Sequence, residues 1–439
     1  MSGDSGPHLP LTAAQGLRYG MLGLPLAFVA LPLYVILPNH YAREFGVPLA
    51  TLGAVLLGAR LFDALIDPLI GRITDRLFAR SVRAVLAWCA AACVVLGLGF
   101  ALLFFPFTRE PGPLVAWASA VLVITYAAYS ALSVAHQAWG AMLGGDEAQR
   151  SRIVSWREGL GLAGVLLASV MPALAGLGWT TALFMLALLC GWLALTTAPR
   201  PITAAQHTVF DLWLPFRRPA FRRLLAVFVL NGIASAIPAT LVLFFVQDRL
   251  QAPPSMEPAF LGSYFLFAAL SIPLWLQLVK RLGLARSWLC GMALSMLVFI
   301  WATQLGAGDT VAFLAVCALS GLALGTDLAL PGAMLAGIIA EAGDRGQSEG
   351  AYFGWWNFAT KLNLALAAGL ALPLLGLFGY LPGARDTGAL NALTVAYCLL
   401  PCLLKLMAAL ALYLLVIRPA QRLHSDNKNS ESGITHHAS

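Results

Sequence analysis

Twelve long apolar runs follow one another along this sequence, and few folds can accommodate them. They cover residues 17–38, 47–71, 83–106, 113–143, 155–176, 178–198, 221–247, 259–280, 286–305, 310–341, 350–378 and 390–417. A helix needs about 20 apolar residues to cross a bilayer, whereas a barrel strand needs only about ten, and lipid admits no other spanning structure. Because 60% of the 439 residues are hydrophobic and only 11% are charged, we predict an all-α membrane protein with twelve transmembrane helices.

Basic residues collect after the even-numbered runs and are sparse in the opposite loops. The positive-inside rule then places both termini and the linker 199–220 in the cytoplasm, with the protein in the inner (plasma) membrane. This linker separates two six-helix halves, 1–198 and 221–417, and a cytoplasmic tail covers 418–439. The net charge of +7 is therefore attributed to topology, and no nucleic-acid partner is expected.

The second run carries three charges on one helical face. Arg60, Asp63 and Asp67 are spaced so that they share one stripe of a helix. An intramembrane charge costs at least ~2.5–3.5 kcal/mol on insertion scales, and like charges four residues apart repel each other. A site that titrates or binds a cation explains this pair of carboxylates, and a structural salt bridge to Arg60 is the alternative.

Several motifs carry a family resemblance. They are Arg60-x-x-Asp63-x-x-x-Asp67-Pro68-x-x-Gly71, Asp146-x-x-x-Arg150-x6-Arg157, Leu330-Pro331-Gly-Ala-Met334-Leu-Ala336, Glu349-Gly350-Ala-Tyr352-Phe353-Gly354 and Asn357-Phe-Ala-Thr-Lys361. Through them the chain resembles the major facilitator superfamily and, within it, the glycoside–pentoside–hexuronide:cation symporters of the melibiose-carrier type. The resemblance implies two six-helix halves around a central solute site.

The resemblance also implies a coupling cation, H⁺ or Na⁺, held by the helix-2 carboxylates. The cation-binding residues would be Asp63 and Asp67, with Ser130 as a possible hydroxyl ligand. The lysine that the resemblance places beside them is Lys361. From the charge balance of the runs, and not from the resemblance, we add Arg60 and Asp327 to the group of charge partners. The melibiose carriers place an amide just before the second carboxylate, and Ile66 stands there in this chain. Sodium needs several oxygen ligands, so we favour a proton, although water or backbone carbonyls would also complete a sodium shell.

Polar and aromatic residues in runs 4 and 11 are candidates for solute binding. They are Ser133, His136, Gln137, Trp355, Trp356 and Lys361. Ser133 stands where the melibiose-type carriers have a sugar-binding acid, which disfavours a galactoside. Ordinary packing is the alternative for the two tryptophans, and burial with satisfied hydrogen bonds is the alternative for His136.

Charged residues near the ends of the runs are candidates for a gate. They are Asp75, Arg76, Arg150 and Arg157. For Asp75 we expect a latch in which the carboxylate caps or pairs at a helix end, and for the arginines membrane anchoring is the alternative. Two further charges lie inside runs: Asp327 is either a second proton site or the partner of a lysine, and a buried acid is the expected partner of Lys405.

We therefore expect a secondary transporter that moves a small organic solute, sugar-like by resemblance, by alternating access coupled to a cation. Two alternatives stay open: an uncoupled facilitator or exporter of an amphipathic solute such as a lysolipid or organic acid, and a non-transporting membrane receptor. No nucleotide-binding loop, catalytic triad or metal cluster occurs in the sequence. We expect no enzymatic activity, no cofactor and a monomer in the bilayer.

Overall fold

The computed structural model describes residues 11–203, 211–380, 383–419 and 421. All regular structure in these ranges is helical. The α-helices are α1 (Ala13–Gly20), α2 (Gly23–Phe28), α3 (Leu37–Glu44), α4 (Leu49–Arg80), α5 (Val82–Phe104), α6 (Pro111–Leu143), α7 (Glu147–Thr196), α8 (Leu214–Arg217), α9 (Pro219–Phe244), α10 (Glu257–Leu282), α11 (Leu284–Ala302), α12 (Thr310–Glu341), α13 (Glu349–Leu377), α14 (Thr387–Thr394) and α15 (Leu400–Leu412). The middle of the predicted linker, 204–210, and most of the predicted tail lie outside the described residues.

Nine helical segments among the described residues are long and apolar enough to cross a membrane. They are Val82–Phe104, Gly112–Leu143, Glu147–Pro172, Leu174–Thr196, Pro219–Arg249, Pro254–Leu282, Leu284–Ala302, Thr310–Glu341 and Thr387–Ile417. The other three predicted runs coincide with the α1–α3 region, with α4 and with α13. Each of the twelve predicted runs therefore falls on helical structure.

The helix α7 contains two of these membrane-crossing segments. Its path breaks at Gly176, where φ is +77°, a conformation that glycine adopts without the steric cost of a side chain. The break lies where predicted runs 5 and 6 meet. A glycine thus ends one segment and lets the next begin without an intervening loop.

The chain forms two compact units. The first contains the described residues up to Arg217 together with Gly332–Leu362, and the second contains Arg218–Pro331 together with the described residues from Asn363 onward. In the first unit the ring of Phe184 packs on Phe100, with centroids 4.6 Å apart. In the second, Phe245 stacks on Tyr397 at 4.3 Å. The division into halves at a 199–220 linker remains a prediction.

The helix α4 has two contrasting faces. Leu57, Leu61 and Leu65 recur every four residues and are exposed, Leu65 by 66%. Asp63 and Asp67 lie on the opposite side and are buried, with 2% and 0% of their surface exposed. The helix therefore turns apolar side chains outward and carboxylates inward, the reverse of a helix in a water-soluble protein.

Candidate functional site

A buried ion cluster connects α4 to α13 within the first unit. The ammonium of Lys361 lies 2.6 Å from Asp63 Oδ2 and 2.8 Å from Asp67 Oδ2. It also donates a hydrogen bond of 2.9 Å to Asp67 Oδ1. Asp63 and Asp67 are one turn apart on α4, so a single ammonium reaches both carboxylates. When all three groups are ionised, they carry a net charge of −1.

Ser130 on α6 completes this cluster. Its hydroxyl donates to Asp63 Oδ1 at 2.7 Å and accepts from Lys361 Nζ at 2.8 Å. The structure thus brings four of the sequence-predicted residues together. Arg60, one turn before Asp63, is exposed on α4.

Glycines allow α4 and α13 to approach closely enough for these contacts. A Cβ on Gly71 would lie 2.1 Å from the carbonyl oxygen of Gly350, and one on Gly350 would lie 2.2 Å from that of Gly71. One turn further on, a Cβ on Gly354 would lie 2.6 Å from the carbonyl oxygen of Asp67. Backbone-to-backbone packing of this kind requires residues without side chains, and it sets the reach of Lys361.

Asp75 caps the amino-terminal end of α13. Its Oδ1 accepts from the Gly350 amide at 2.6 Å, and its Oδ2 accepts from the Ala351 amide at 2.8 Å. These amides belong to the first turn of a helix, where no intrahelical acceptor exists and the helix dipole favours negative charge. Asp75 therefore contacts a helix end, as a latch requires, while Arg76 beside it is exposed.

A second carboxylate, Glu349, lies beside this cap. It is fully buried, and its Oε1 accepts from the Gly346 amide at 2.6 Å. Burial raises the pKa of Glu349 to about 7. Burial, and to a smaller extent the charge of Glu349, raise the pKa of Asp75 well above its usual value. Sequence reasoning did not select Glu349 as a site residue, although it stands immediately before the predicted run 350–378 and opens one of the quoted motifs.

Polar side chains continue from the ion cluster along α6 and α13. Gln137 donates to Ser133 Oγ at 2.9 Å and to Asn357 Oδ1 at 3.0 Å. Ser130, Ser133 and Gln137 share one face of α6, and Asn357 lies one turn before Lys361 on α13. We call Ser133, Gln137 and Asn357 the polar stripe. Asn357 was not selected from the sequence, although its spacing from Lys361 would have been the signal.

Two of the side chains predicted to bind the solute, His136 and Trp355, are instead engaged in contacts within the protein. His136 is fully buried, and its Nε2 lies 2.8 Å from the carbonyl oxygen of Tyr19. Trp355 Nε1 donates to the carbonyl oxygen of Leu212 at 2.9 Å, and its ring packs against Trp213 with centroids 5.0 Å apart. The structure therefore engages His136 with α1 and Trp355 with the described end of the linker. Trp356 is also buried, with 6% exposed.

Asp327 lies in the second unit, where its partner is Lys405. Lys405 Nζ lies 3.0 Å from Asp327 Oδ2, which also accepts from Ser235. Asp327 Oδ1 accepts from Asn231 at 3.0 Å and from Trp288 at 2.8 Å. Four donors surround this carboxylate, so its place is in a separate polar network and not among the charge partners of Asp63 and Asp67.

No group of three or more His, Cys, Asp or Glu side chains is placed to hold a metal ion in the described parts of the chain. The carboxylates of the ion cluster already surround an ammonium. The arrangement places two carboxylates and one ammonium in direct contact inside the protein.

Comparison with known proteins agrees with this architecture. The family model described as MFS/sugar transport protein matches residues 18–418. The chain belongs to the MFS/sugar transport protein family. It is therefore a membrane-spanning transporter and not an enzyme, and the predicted fold class is confirmed.

Two relatives of this MFS/sugar transport protein come from Escherichia coli (strain K12). The candidate glycoside/cation symporter YagG is 28% identical over 162 residues, which are 36% of this chain and 34% of YagG. The inner membrane symporter YicJ is 23% identical over 274 residues, or 58% of each chain. The matches span less than two thirds of either relative.

Solved structures resemble this MFS/sugar transport protein in fold. A bacterial homologue of the iron transporter ferroportin in an outward-facing state superposes with a TM-score of 0.68 at 18% identity, covering 92% of this chain and 99% of that one. The major facilitator superfamily transporter FucP in the outward conformation gives a TM-score of 0.64 at 13% identity, covering 90% and 98%. These likenesses show the shared fold.

Proposed function

We propose that this protein moves a small, hydroxyl-rich organic solute by alternating access, coupled to one cation bound at Asp63 and Asp67. The observation that carries the proposal is the ion cluster, in which two carboxylates share one lysine. A site with a net charge of −1 inside an apolar helix bundle favours uptake of one further positive charge. That uptake would free Lys361 from one of its carboxylates and change how α4 is held to α13.

We propose a proton as the coupling cation, and Asp67 Oδ2 as the atom that receives it. This oxygen is buried and accepts no hydrogen bond from the described residues, although it lies 2.8 Å from Lys361 Nζ. The ammonium donates hydrogen bonds to Asp67 Oδ1 and Ser130 Oγ, and it lies 2.6 Å from Asp63 Oδ2. Asp67 thus keeps an acceptor position for a proton.

Sodium fits this cluster less well. A hard cation stripped of water requires several oxygen ligands at once. The ammonium of Lys361 occupies the space between the oxygens that would supply them, and Ile66 offers no oxygen from its side chain. A proton needs only one oxygen.

The polar stripe supports a solute with several hydroxyl groups. Ser133, Gln137 and Asn357 hydrogen-bond one another, so their amides and hydroxyl can exchange these bonds for bonds to a sugar. The relative described as a glycoside/cation symporter favours the same class. Lys361, at the end of the stripe, would then contact both the solute and the cation site.

The membrane placement belongs to the same proposal. We place the protein in the inner membrane with both termini cytoplasmic, following the arginine asymmetry. The cap formed by Asp75 on α13 would then lie at the cytoplasmic end of α4 and act as a gate that opens when α13 moves. The protein would function as a monomer without a cofactor, with lipid and a small solute as its partners.

Uptake by proteoliposomes tests the proposal. The solutes are a panel of hexoses, glycosides, pentosides and hexuronates, and a pH dye inside the vesicles reports proton entry. We expect an inward pH gradient without sodium to drive accumulation, and Asp67→Asn to lose it. Asp327→Asn, an acid-to-amide change in the second unit, is the matched control and should keep the coupling.

Other outcomes separate the alternatives. Accumulation driven only by a sodium gradient would exclude the proton, and unchanged coupling in both Asp63→Asn and Asp67→Asn would exclude the site. Downhill flux that ignores both gradients would identify an uncoupled facilitator or exporter. Binding without any flux would identify a receptor.

A further inference from the structure

The gate candidates from the sequence all belong to one predicted side of the membrane. Asp75, Arg76, Arg150 and Arg157 lie where an even-numbered run passes to the next run. In the structure Arg157 forms an ion pair of 2.6 Å with Glu158, and the guanidinium of Arg150 lies against α12. Alternating access also requires a gate on the other side, for which the sequence offered no candidate.

A carboxylate contacts the chain at each end of α13. Asp75 accepts from the amides of Gly350 and Ala351 at its beginning, and Asp248 accepts from residues that follow its end. With 29 residues, α13 is about 44 Å long, whereas the hydrocarbon core of a bilayer is about 30 Å thick. The end of α13 near Asp248 therefore emerges on the membrane side opposite to its beginning.

Asp248 holds the connection between α13 and α14. Its Oδ2 accepts from the hydroxyl of Tyr380 and from the amide of Gly383, the latter at 2.9 Å. In return, the guanidinium of Arg385 donates to the carbonyl oxygen of Asp248 at 2.7 Å and to that of Gln247 at 3.2 Å. These hydrogen bonds tie the connection to a single short segment of the second unit.

A π-helical turn places Asp248 in this position. The turn covers Phe245–Arg249, directly after α9, and such turns are frequent at functional sites. Arg249 donates to the carbonyl oxygen of Leu305 at 2.9 Å, in the connection between α11 and α12. Asp248 is buried, with 4% of its surface exposed, and a buried carboxylate needs donors in place of water. The connection after α13 supplies these donors.

These contacts are of a kind that can open and close. An amide, a phenol and a guanidinium give charge-assisted or polar hydrogen bonds that water can replace when the partners separate. Water is close at hand, because 53% of the side chain of Arg385 is exposed. The tie can therefore open without exposing an apolar surface, and it uses the same chemistry as the cap that Asp75 forms at the beginning of α13.

We propose that Asp248 is the latch on the side of the membrane opposite to Asp75, and that the two latches open in turn. Asp248 holds the end of α13 while the cap formed by Asp75 opens, and it releases this end while that cap is closed. One continuous helix, with Lys361 between its ends, connects the two latches. The inference rests on the proposed function, since it names the second gate of the same transport cycle.

Hydrogen exchange of the full-length chain in nanodiscs reports both latches without any solute or gradient. The amides of 378–386 report the latch at Asp248, and those of 349–352 report the cap at Asp75. Asp248→Asn removes the charge with almost no change in size. We expect exchange at 378–386 to become about tenfold faster, as for the loss of one hydrogen bond to a charged group. Exchange at 349–352 should become slower, because the protein then spends more time with the cap closed.

Matched variants separate a latch from a general effect on stability. Asp75→Asn should give the reverse pattern, with faster exchange at 349–352 and slower exchange at 378–386. Asp386→Asn changes an acid of the same connection that accepts from the Ala389 amide of its own helix, where asparagine caps equally well, and it should change neither segment. If Asp248→Asn does not fold, Tyr380→Phe, which removes one hydroxyl, should give the same pattern with smaller changes.

The reciprocal change is the decisive observation. Faster exchange at 378–386 without slower exchange at 349–352 would make Asp248 a static tie and overturn the latch. Unchanged exchange at 378–386, or the same pattern in Asp386→Asn, would overturn it as well. None of these results touches the cation coupling at Asp67, which uptake measures. Conversely, uptake without coupling would refute the cation site and leave a reciprocal exchange pattern in place.

Discussion

Replacing Lys361 by methionine tests whether its ammonium holds the ion cluster together. Methionine keeps the length and the apolar stem of the side chain but removes the charge that lies 2.6–2.9 Å from both carboxylates. Removing one partner of a buried pair typically costs about 3–5 kcal/mol. Because Asp63 and Asp67 are 2% and 0% exposed, water offers little compensation. We expect the free energy of unfolding to fall by about this amount.

The measurement is equilibrium unfolding in mixed micelles with increasing SDS. The loss in Lys361→Met should shrink at low pH, because protonation removes the uncompensated negative charges. Adding Asp67→Asn to Lys361→Met restores the net charge of −1 and should recover a large part of the loss. Adding Asp327→Asn should not, since that carboxylate belongs to the second unit.

The control is Lys280→Met, which removes an exposed lysine at the end of α10. If Lys361→Met unfolds with the same free energy as this control, the ammonium does not stabilise the cluster and the reasoning is refuted. If adding Asp327→Asn to Lys361→Met restored the free energy of unfolding as much as adding Asp67→Asn, the loss would reflect the overall charge of the protein and not the ion cluster.

Two further predictions concern the other buried acids. The pKa of Glu349, raised from 4.5 to about 7, corresponds to about 3 kcal/mol. The folded state keeps this proton at pH values where the unfolded state has released it. The free energy of unfolding should therefore fall as the pH rises from about 4.5 to about 7. Thermal unfolding of Glu349→Gln should show a smaller decrease over this pH range, because the variant has no carboxyl group to titrate. Asp327→Asn leaves the ammonium of Lys405 buried without its carboxylate and should cost about 3–5 kcal/mol in SDS unfolding, while proton-driven uptake persists.

Each of these predictions has a clear contrary result. An unchanged pH profile in Glu349→Gln would mean that another group, such as the neighbouring Asp75, accounts for the titration. Loss of proton coupling in Asp327→Asn without loss of stability would make that carboxylate a second proton site, the alternative considered from the sequence.

Regularities within single helices were readable from the sequence. The apolar runs were long enough to require helices because lipid leaves backbone groups no other partner. The spacing of Asp63 and Asp67 on one face of α4 followed from the helical period alone. The break at Gly176 followed from a glycine between two apolar runs. None of these features depends on which helix packs beside which.

Only the tertiary structure decided which charges meet. The sequence offered Lys361 and Lys405 for the buried acids, and total charge does not distinguish the possible pairings. Lys361 reaches Asp63 and Asp67 because Gly71 and Gly350 let two backbones touch, and Lys405 meets Asp327 through a different set of helices. Asp327 and Lys405 are 78 positions apart, and Asp67 and Lys361 are 294 apart. Contacts at such separations depend on where helices cross, which the pattern along one helix does not encode.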